Sequence, residues 1–260
     1  MLRIQSSIPG LSGLAMGPDG DLWAVAERAR VVLRIDRDTG SVETFALHGV
    51  PEEAETEAIA YLGEGRFALG TETEGPARAH DDILFAELMD DGMRVVEHVT
   101  LPYELWTLAG LHNHGIEGLC AVEGALWLSA EIVGERDGRR YAPIARRDAN
   151  GSWTVYRVWL TSAEGKLSAL SCSHANETTE LFAIERHFGT LRVLRFDIEL
   201  GAGVDVEPQV ALDLDAWVAR EGSPNLEGLV RLGDRLLMVS DNHYRGRPRG
   251  DTFLYEIRLP

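Results

Sequence analysis

The chain predicts an all-β fold: a five-bladed β-propeller in one domain spanning residues 1–260. Three observations carry this. One phrase recurs five times: a small or acidic residue, Gly or Ala, apolar residues, a turn, then an apolar strand ending on a polar or acidic position. Its opening residue lies 14 to 17 positions before its closing carboxylate in every copy, and repetition at such a fixed period marks a radial or stacked architecture. Finally, the last copy has no fourth strand, while the N-terminus offers a spare one at residues 2–6. A ring closed by the N-terminal strand joining the last blade hides a sheet edge.

The elements follow in order. Each copy begins as a strand and turns at a Gly- or Asp-bearing corner: Pro18-Asp19-Gly20, Gly63-Glu64-Gly65, Glu123-Gly124 and Leu232-Gly233-Asp234. It then returns, which is the signature of a β-hairpin. The fourth copy turns through the more polar Ala175-Asn176-Glu177. A third apolar run follows each hairpin, at residues 31–35, 83–86, 142–145, 191–196 and 253–257. A fourth follows in the first four copies, at 42–45, 95–99, 154–158 and 210–212. Blades of about 45 to 60 residues result. One helix-like patch, residues 214–220, connects the last two copies.

Composition sets bounds. With 260 residues, 45% of them hydrophobic, the chain can bury one sizeable core. No run is long enough for a transmembrane helix, and no apolar segment near Met1 reads as a signal peptide, so a cytoplasmic location is expected, with a periplasmic or secreted one open to a processed form. A net charge of −17 argues against nucleic acid and anionic membranes as partners. The basic residues are 24 Arg and the single Lys166. Cys120 and Cys172, in the first strands of copies three and four, are expected as buried free thiols.

The repeat also places the chemistry. First strands line the channel and second strands run back, so first-strand starts and second-strand ends share one face. The starts are Ser12, Glu57, Glu117, Ser168 and Glu227, and the ends are Glu27, Glu72, Glu131, Glu185 and Asp241. Eight carboxylates therefore converge on one mouth. Crowded like charges raise each other's pKa unless a cation sits among them. A bound metal, internal Arg or His partners, and partial protonation are the three answers; rim carboxylates that only cap backbone amides are the bland reading. Hard oxygen donors favour Ca²⁺ or Mg²⁺ over Zn²⁺. Glu57, Glu117 and Glu227 are the candidate metal ligands. Ser12 and Ser168 read as channel-lining hydroxyls.

Loops leaving the same face carry Arg28, Arg30, Arg78, Arg136, Arg139, Arg140, Arg186, Arg245, Arg247 and Arg249. A basic rim over an acidic floor suits a small anionic substrate, and equally suits Arg paired with neighbouring Asp and Glu. His187 and His243 stand at second-strand exits, and His112 and His114 precede the third copy. Asp241, Glu185 and His187 are the candidate catalytic acid–base groups; Arg28, Arg186, Glu131, His114 and His243 are the candidate substrate contacts. Trp106 and Tyr244 are expected as exposed loop aromatics. No P-loop, dinucleotide fingerprint, nucleophile elbow or zincin helix occurs, so no nucleotide or organic cofactor is expected.

The phrases Gly10-Leu11-Ser12-Gly13-Leu14-Ala15, Gly115-Ile116-Glu117-Gly118-Leu119, Leu167-Ser168-Ala169-Leu170 and Asn225-Leu226-Glu227-Gly228-Leu229, with Val239-Ser240-Asp241-Asn242-His243-Tyr244, resemble the phytase-like propeller proteins. That family is described as having the esterase-like activity of phytase. The resemblance implies a propeller with a metal-friendly centre, often calcium, and hydrolysis of an ester or phosphoester. The chain departs from it in being short, with five blades, and in showing no export signal. Two alternatives stand beside the hydrolase: a non-catalytic propeller binding a ligand or protein through its loops, and a biosynthetic cyclase or isomerase using the same funnel.

Overall fold

The computed structural model describes residues 1–73, 80–106, 115–175, 178–200, 203–244, 247–248 and 250–259. It is all-β with one short α-helix, Asp215–Glu221. Each sequence repeat is an antiparallel meander. The first runs through Leu11–Met16, Leu22–Ala26, Val31–Ile35 and Val42–His48. The second runs through Ala54–Gly63, Arg66–Thr73, His80–Met89 and Gly92–Pro102. A short parallel pairing of Leu47 with Met93 joins these two into one sheet. The third comprises Ile116–Val122, Ala125–Ala130, Arg139–Arg147 and Trp153–Trp159. The fourth comprises Lys166–Ala175, Thr178–His187, Thr190–Ile198 and Gln209–Asp213. The last has Asn225–Leu232, Arg235–Asp241 and Phe253–Arg258, and its outer strand pairs with Leu2–Arg3 from the N-terminus (Leu2 opposite Leu254).

Turn chemistry explains the hairpins. Glu64-Gly65, Glu123-Gly124 and Asp137-Gly138 each put two consecutive residues at positive φ, the backbone that a tight two-residue hairpin with right-handed twist requires. The polar corner at 176–177 lies outside the described residues. The predicted helix is present, and Asp215 at its start accepts from Leu191 N at 2.8 Å and Arg192 Nη2 at 2.6 Å.

The core lies between neighbouring repeats. Trp23 and Val25 of the first pack with Ile59 and Phe67 of the second. Ala58 and Ile83 of the second pack with Ile116 and Leu128 of the third, Trp127 with Leu170 and Leu181 of the fourth, and Phe182 with Leu229 and Met238 of the last. Another cluster joins Leu11 and Leu14 of the first repeat to Val230 and Val239 of the last. The first strands therefore stand side by side, and Leu14, Tyr61, Leu119, Leu170 and Leu229, one from each repeat, line a shared cavity of about 150 Å³.

Two expectations are corrected. Cys120 and Cys172 form a disulfide, with Cα atoms 5.8 Å apart. Their separation of 52 residues is close to one repeat period, so adjacent first strands bring them together at the cavity wall. Trp106 is not an exposed loop aromatic. It ends a 3₁₀ turn, Tyr103–Trp106, and is fully buried against the second and third repeats. The side chain of Tyr244 lies outside the described residues. Among those described, no helix is long and apolar enough to cross a membrane.

Candidate functional site

The site is built from bulges. In the second to last repeats, the pairing of the first hairpin slips by one residue between Thr56 and Ala58, Ile116 and Gly118, Leu167 and Ala169, and Leu226 and Gly228. The extra, unpaired residues are Glu57, Glu117, Ser168 and Glu227, the opening residues of the repeated phrase. In the first repeat the slip falls just after Ser12, before Ala15. A bulge re-aims a side chain and frees it from the ladder, which is how Glu57, Glu117 and Glu227 come to face the same mouth.

The glycine that follows has a separate cause. A Cβ on Gly118 would lie 2.7 Å from Leu170 Cβ and 2.8 Å from Leu170 N; one on Gly228 would lie 2.8 Å from Gly13 C. Neighbouring first strands approach too closely for any side chain there. Ser12 and Ser168 are likewise stapled rather than open to the channel. Ser12 Oγ donates to Glu57 O at 2.7 Å, and Ser168 Oγ to Leu226 O at 2.8 Å, both fully buried.

Glu57, Glu72, Glu117, Glu131, Glu227 and Asp241 are all buried, with Glu27 and Glu55 half-buried beside them. Burial first, then the neighbouring carboxylates Glu27, Glu72 and Glu227, push Glu57 well above the usual carboxylate range. Glu117 is raised by burial and then by Glu131, Glu57, Glu227 and Glu72. Glu27 rises to about 8, through burial and then Asp241, Glu227 and Glu55, with Arg28 pulling the other way. Burial also raises Glu227, against the lowering effect of Arg186.

The cations among them are committed. Arg186 and Lys166 pair with Glu227 and Glu131 respectively, and Arg28 Nε lies 2.8 Å from Glu55. Burial opposes the charge on Arg186, but Glu227, Glu131 and Glu117 hold it above the ordinary arginine value. Asp241 accepts from Asn225 Nδ2 at 2.8 Å. Glu72 accepts from Gly115 N at 2.7 Å.

Glu185 stands apart from this group. Its carboxylate accepts four bonds, from Thr161 N at 3.1 Å and Oγ1 at 2.5 Å, and from Ser162 N at 2.9 Å and Oγ at 2.6 Å. That is a loop cap, and its lone pairs are spent on holding residues 161–162. His187 faces Glu164 at 3.3 Å and lines a cavity of about 490 Å³ with Arg186 and Asp241. His112 and His114 lie outside the described residues, as does the side chain of His243; its backbone pairs with Pro248.

The expected basic rim is mostly answered within the protein. Arg30 donates to the carbonyls of Val50, Pro51 and Glu52 at 3.0–3.1 Å. Arg139 grips Glu207 through two bonds, and Arg140 bonds Ser162 O at 3.2 Å. Arg136 reaches Asp205 at 3.6 Å. Arg78, Arg245 and Arg249, and the side chain of Arg247, lie outside the described residues.

Sequence reasoning missed two participants. Glu55 lies two residues before Glu57, and the carboxylate oxygens of Glu27, Glu55 and Glu57 can lie within 4.8 Å of one another. Lys166 opens the fourth repeat's first strand and reaches Glu131.

Comparison with known proteins comes last. No curated protein matches the chain. Solved structures do. The PQQ-bound aldose sugar dehydrogenase of Streptomyces coelicolor aligns with a TM-score of 0.59 at 14% identity, covering 100% of this chain and 97% of that one. The apo aldose sugar dehydrogenase of Escherichia coli gives 0.51 at 10%, covering 97% of each chain. A gluconolactonase from Xanthomonas campestris gives 0.54 at 16%, covering 97% and 76%. At these identities the likeness shows a shared β-propeller architecture and nothing of activity. The family model described as esterase-like activity of phytase matches residues 7–244, most of the chain, and the protein therefore belongs to the phytase-like family.

Proposed function

We propose that the chain is a five-bladed β-propeller, closed by Leu2–Arg3 on the last blade, and that its carboxylate mouth is the centre of a calcium-dependent hydrolase of esters or phosphoesters. The observation that carries the reading is a charge imbalance. Glu27, Glu55, Glu57, Glu72, Glu117, Glu131, Glu227 and Asp241 gather at one place, and among the described residues the cations paired there are Arg28, Lys166 and Arg186. The family description supplies the ester chemistry, and one fold neighbour is named a gluconolactonase, by its name a hydrolase of a cyclic ester.

The donor set fits a hard divalent cation. All its donors are carboxylate oxygens, and Glu227 Oε2 is buried with no hydrogen-bond partner among the described residues. Glu27, Glu55 and Glu57, whose carboxylate oxygens lie within 4.8 Å of one another, would hold the ion, with Glu117 and Glu227 completing the set. Calcium bound there would polarise the scissile group's oxygen and acidify a water.

The chain's own groups do the rest. Glu27, held high by burial and neighbouring carboxylates when no cation is present, would be lowered by calcium beside it and serve as a base. Asp241, and His187 on the cavity wall, are the further proton acceptors; the saturated Glu185 is not. Arg186 and Lys166 stay paired with Glu227 and Glu131 and hold those carboxylates in place, as Arg28 holds Glu55.

The test is elemental analysis combined with turnover of p-nitrophenyl acetate and p-nitrophenyl phosphate, in wild type, Glu57→Gln and Glu117→Gln. We expect about one calcium per chain, lost with activity in both variants while the circular dichroism spectrum is kept. Turnover that survives chelation in calcium-free protein overturns the reading.

A further inference from the structure

The cavity of about 490 Å³ beside the carboxylate group lies between the fourth and last repeats, within the size range of small-molecule sites. Its charged walls cancel. Lys166 and Arg186 are answered by Glu131 and Glu227. Asp251 is answered by Arg3 at 2.9 Å, and Asp241 is bonded by Asn225. A phosphate entering here would meet two aspartates, and an ammonium would meet a lysine and an arginine. Neither sign of ligand gains without breaking a pair that already exists.

What the walls offer instead is neutral. Asn225, Asn242 and Ser223 line the cavity; Asn242 is held by Gly10 N and Gly250 O, and Asn225 Nδ2 by Asp241, so Asn225 Oδ1 and the Ser223 hydroxyl are the groups that can meet a ligand hydroxyl without breaking a pair. The aromatic part is Phe188, 81% exposed and edge-on to His187 at 4.7 Å, with Phe253 and Tyr255 paired at 6.3 Å. An apolar ring left this open beside amide groups suits the C–H face of a hydroxylated ring, whose hydroxyls turn toward the polar wall.

We propose that this cavity binds an uncharged polyhydroxylated ring, the sugar-like or lactone portion of the substrate, next to the reacting centre. The inference rests on the hydrolase reading, whose substrate class it narrows to neutral hydroxylated esters; the described rim arginines, Arg28, Arg30, Arg136, Arg139, Arg140 and Arg186, are paired internally and give an anionic substrate no support.

Lys166 provides the test, because it is the chain's single lysine and lines the cavity with its side chain 26% exposed. Trinitrobenzenesulfonate labelling, read by peptide mapping, reports the Lys166 ε-amine separately from the N-terminus. Saturating methyl glucoside, galactose or xylose is expected to slow Lys166 labelling about five-fold or more by mass action, with no effect at the N-terminus. Phe188→Ala, an exposed position whose loss leaves the fold intact, should abolish that protection at unchanged Tm. No protection by any neutral sugar overturns the proposal, as does protection by inorganic phosphate or glucose 6-phosphate alone. The readout needs neither metal nor turnover. Protection without hydrolysis would sink the hydrolase reading and leave the cavity's ligand standing; hydrolysis without protection would do the reverse.

Discussion

Arg186 Nη2 rests on Oε1 of Glu227, and Glu227 Oε2 is left without a hydrogen-bond partner among the described residues. The guanidinium thus engages only one oxygen of a buried carboxylate.

Removing the arginine should therefore be costly. Arg186→Met leaves a buried carboxylate uncompensated, a change expected to cost about 3 kcal/mol, or a Tm drop of roughly 6–12 °C in a chain of this size. Adding Glu227→Gln to it should recover most of the loss, and excess calcium should recover part of it in the single variant. Thermal melts of the four proteins of this cycle check the coupling; additive losses would show that the pair does not act as a unit.

The raised carboxylates fix the sign of the pH dependence. Glu27 moves from 4.5 to about 8, so the native state keeps a proton that the unfolded chain has already released. Stability contributed by that proton is present below pH 4.5 and is lost as pH rises toward 8. Glu57 and Glu117 shift in the same direction. We expect the urea midpoint of chelated protein to fall across this window, and calcium to flatten the fall. Calcium binding should release protons at pH 6.5, measurable as a buffer-dependent heat. A chelated midpoint that climbs through the window would contradict the assignment.

Close packing of first strands predicts a contrast between glycines. Gly118→Ala places a Cβ 2.8 Å from backbone nitrogen of Leu170, and overpacking against backbone should cost about 3 kcal/mol. Gly189, with nothing within 4 Å, should accept Ala within about 0.5 kcal/mol. Chemical denaturation of both variants decides; equal stabilities would mean that the strands can move apart.

The Cys120–Cys172 bond closes a loop with a sequence separation of 52, for which chain entropy gives about 4 kcal/mol. Protein purified without reductant should show no free thiol until it is denatured and reduced. Cys120→Ala together with Cys172→Ala should lower Tm by roughly 10 °C. Two titratable thiols in the native protein would restore the free-cysteine reading. A persistent bond would place the mature chain in an oxidising compartment, against the cytoplasmic expectation.

The repeated phrase made the hairpins legible, because turn residues such as Glu123-Gly124 and the alternation of strand residues are local signals. It also gathered Glu57, Glu117 and Glu227 with Glu27, Glu131 and Asp241, since a repeat fixes which residues face one another. Reading side-chain commitments was harder. Glu185 aligns by register with Ala130 and Ser240, and Arg186 stands where Glu131 and Asp241 do, so Glu185 falls on the opposite face and caps Thr161 and Ser162 while Glu131 meets Lys166. Arg30 and Arg139 read as a basic rim because sequence records their charge and not the carbonyls and carboxylates that absorb it. The disulfide had a signal, one repeat period, but it needed the knowledge that neighbouring first strands touch.

The unpaired position in the first strand of the second to last repeats has a further consequence. Ladder bonds are made by the residues on either side of it, so exchanging its side chain leaves the sheet's pairing undisturbed. The chain already holds both Glu and Ser at equivalent positions, Glu117 and Ser168, on the same backbone. Architecture and chemistry are thus written on separate residues, and such a scaffold can acquire a new charge pattern at its mouth, and with it a new reaction, without first having to survive a loss of fold.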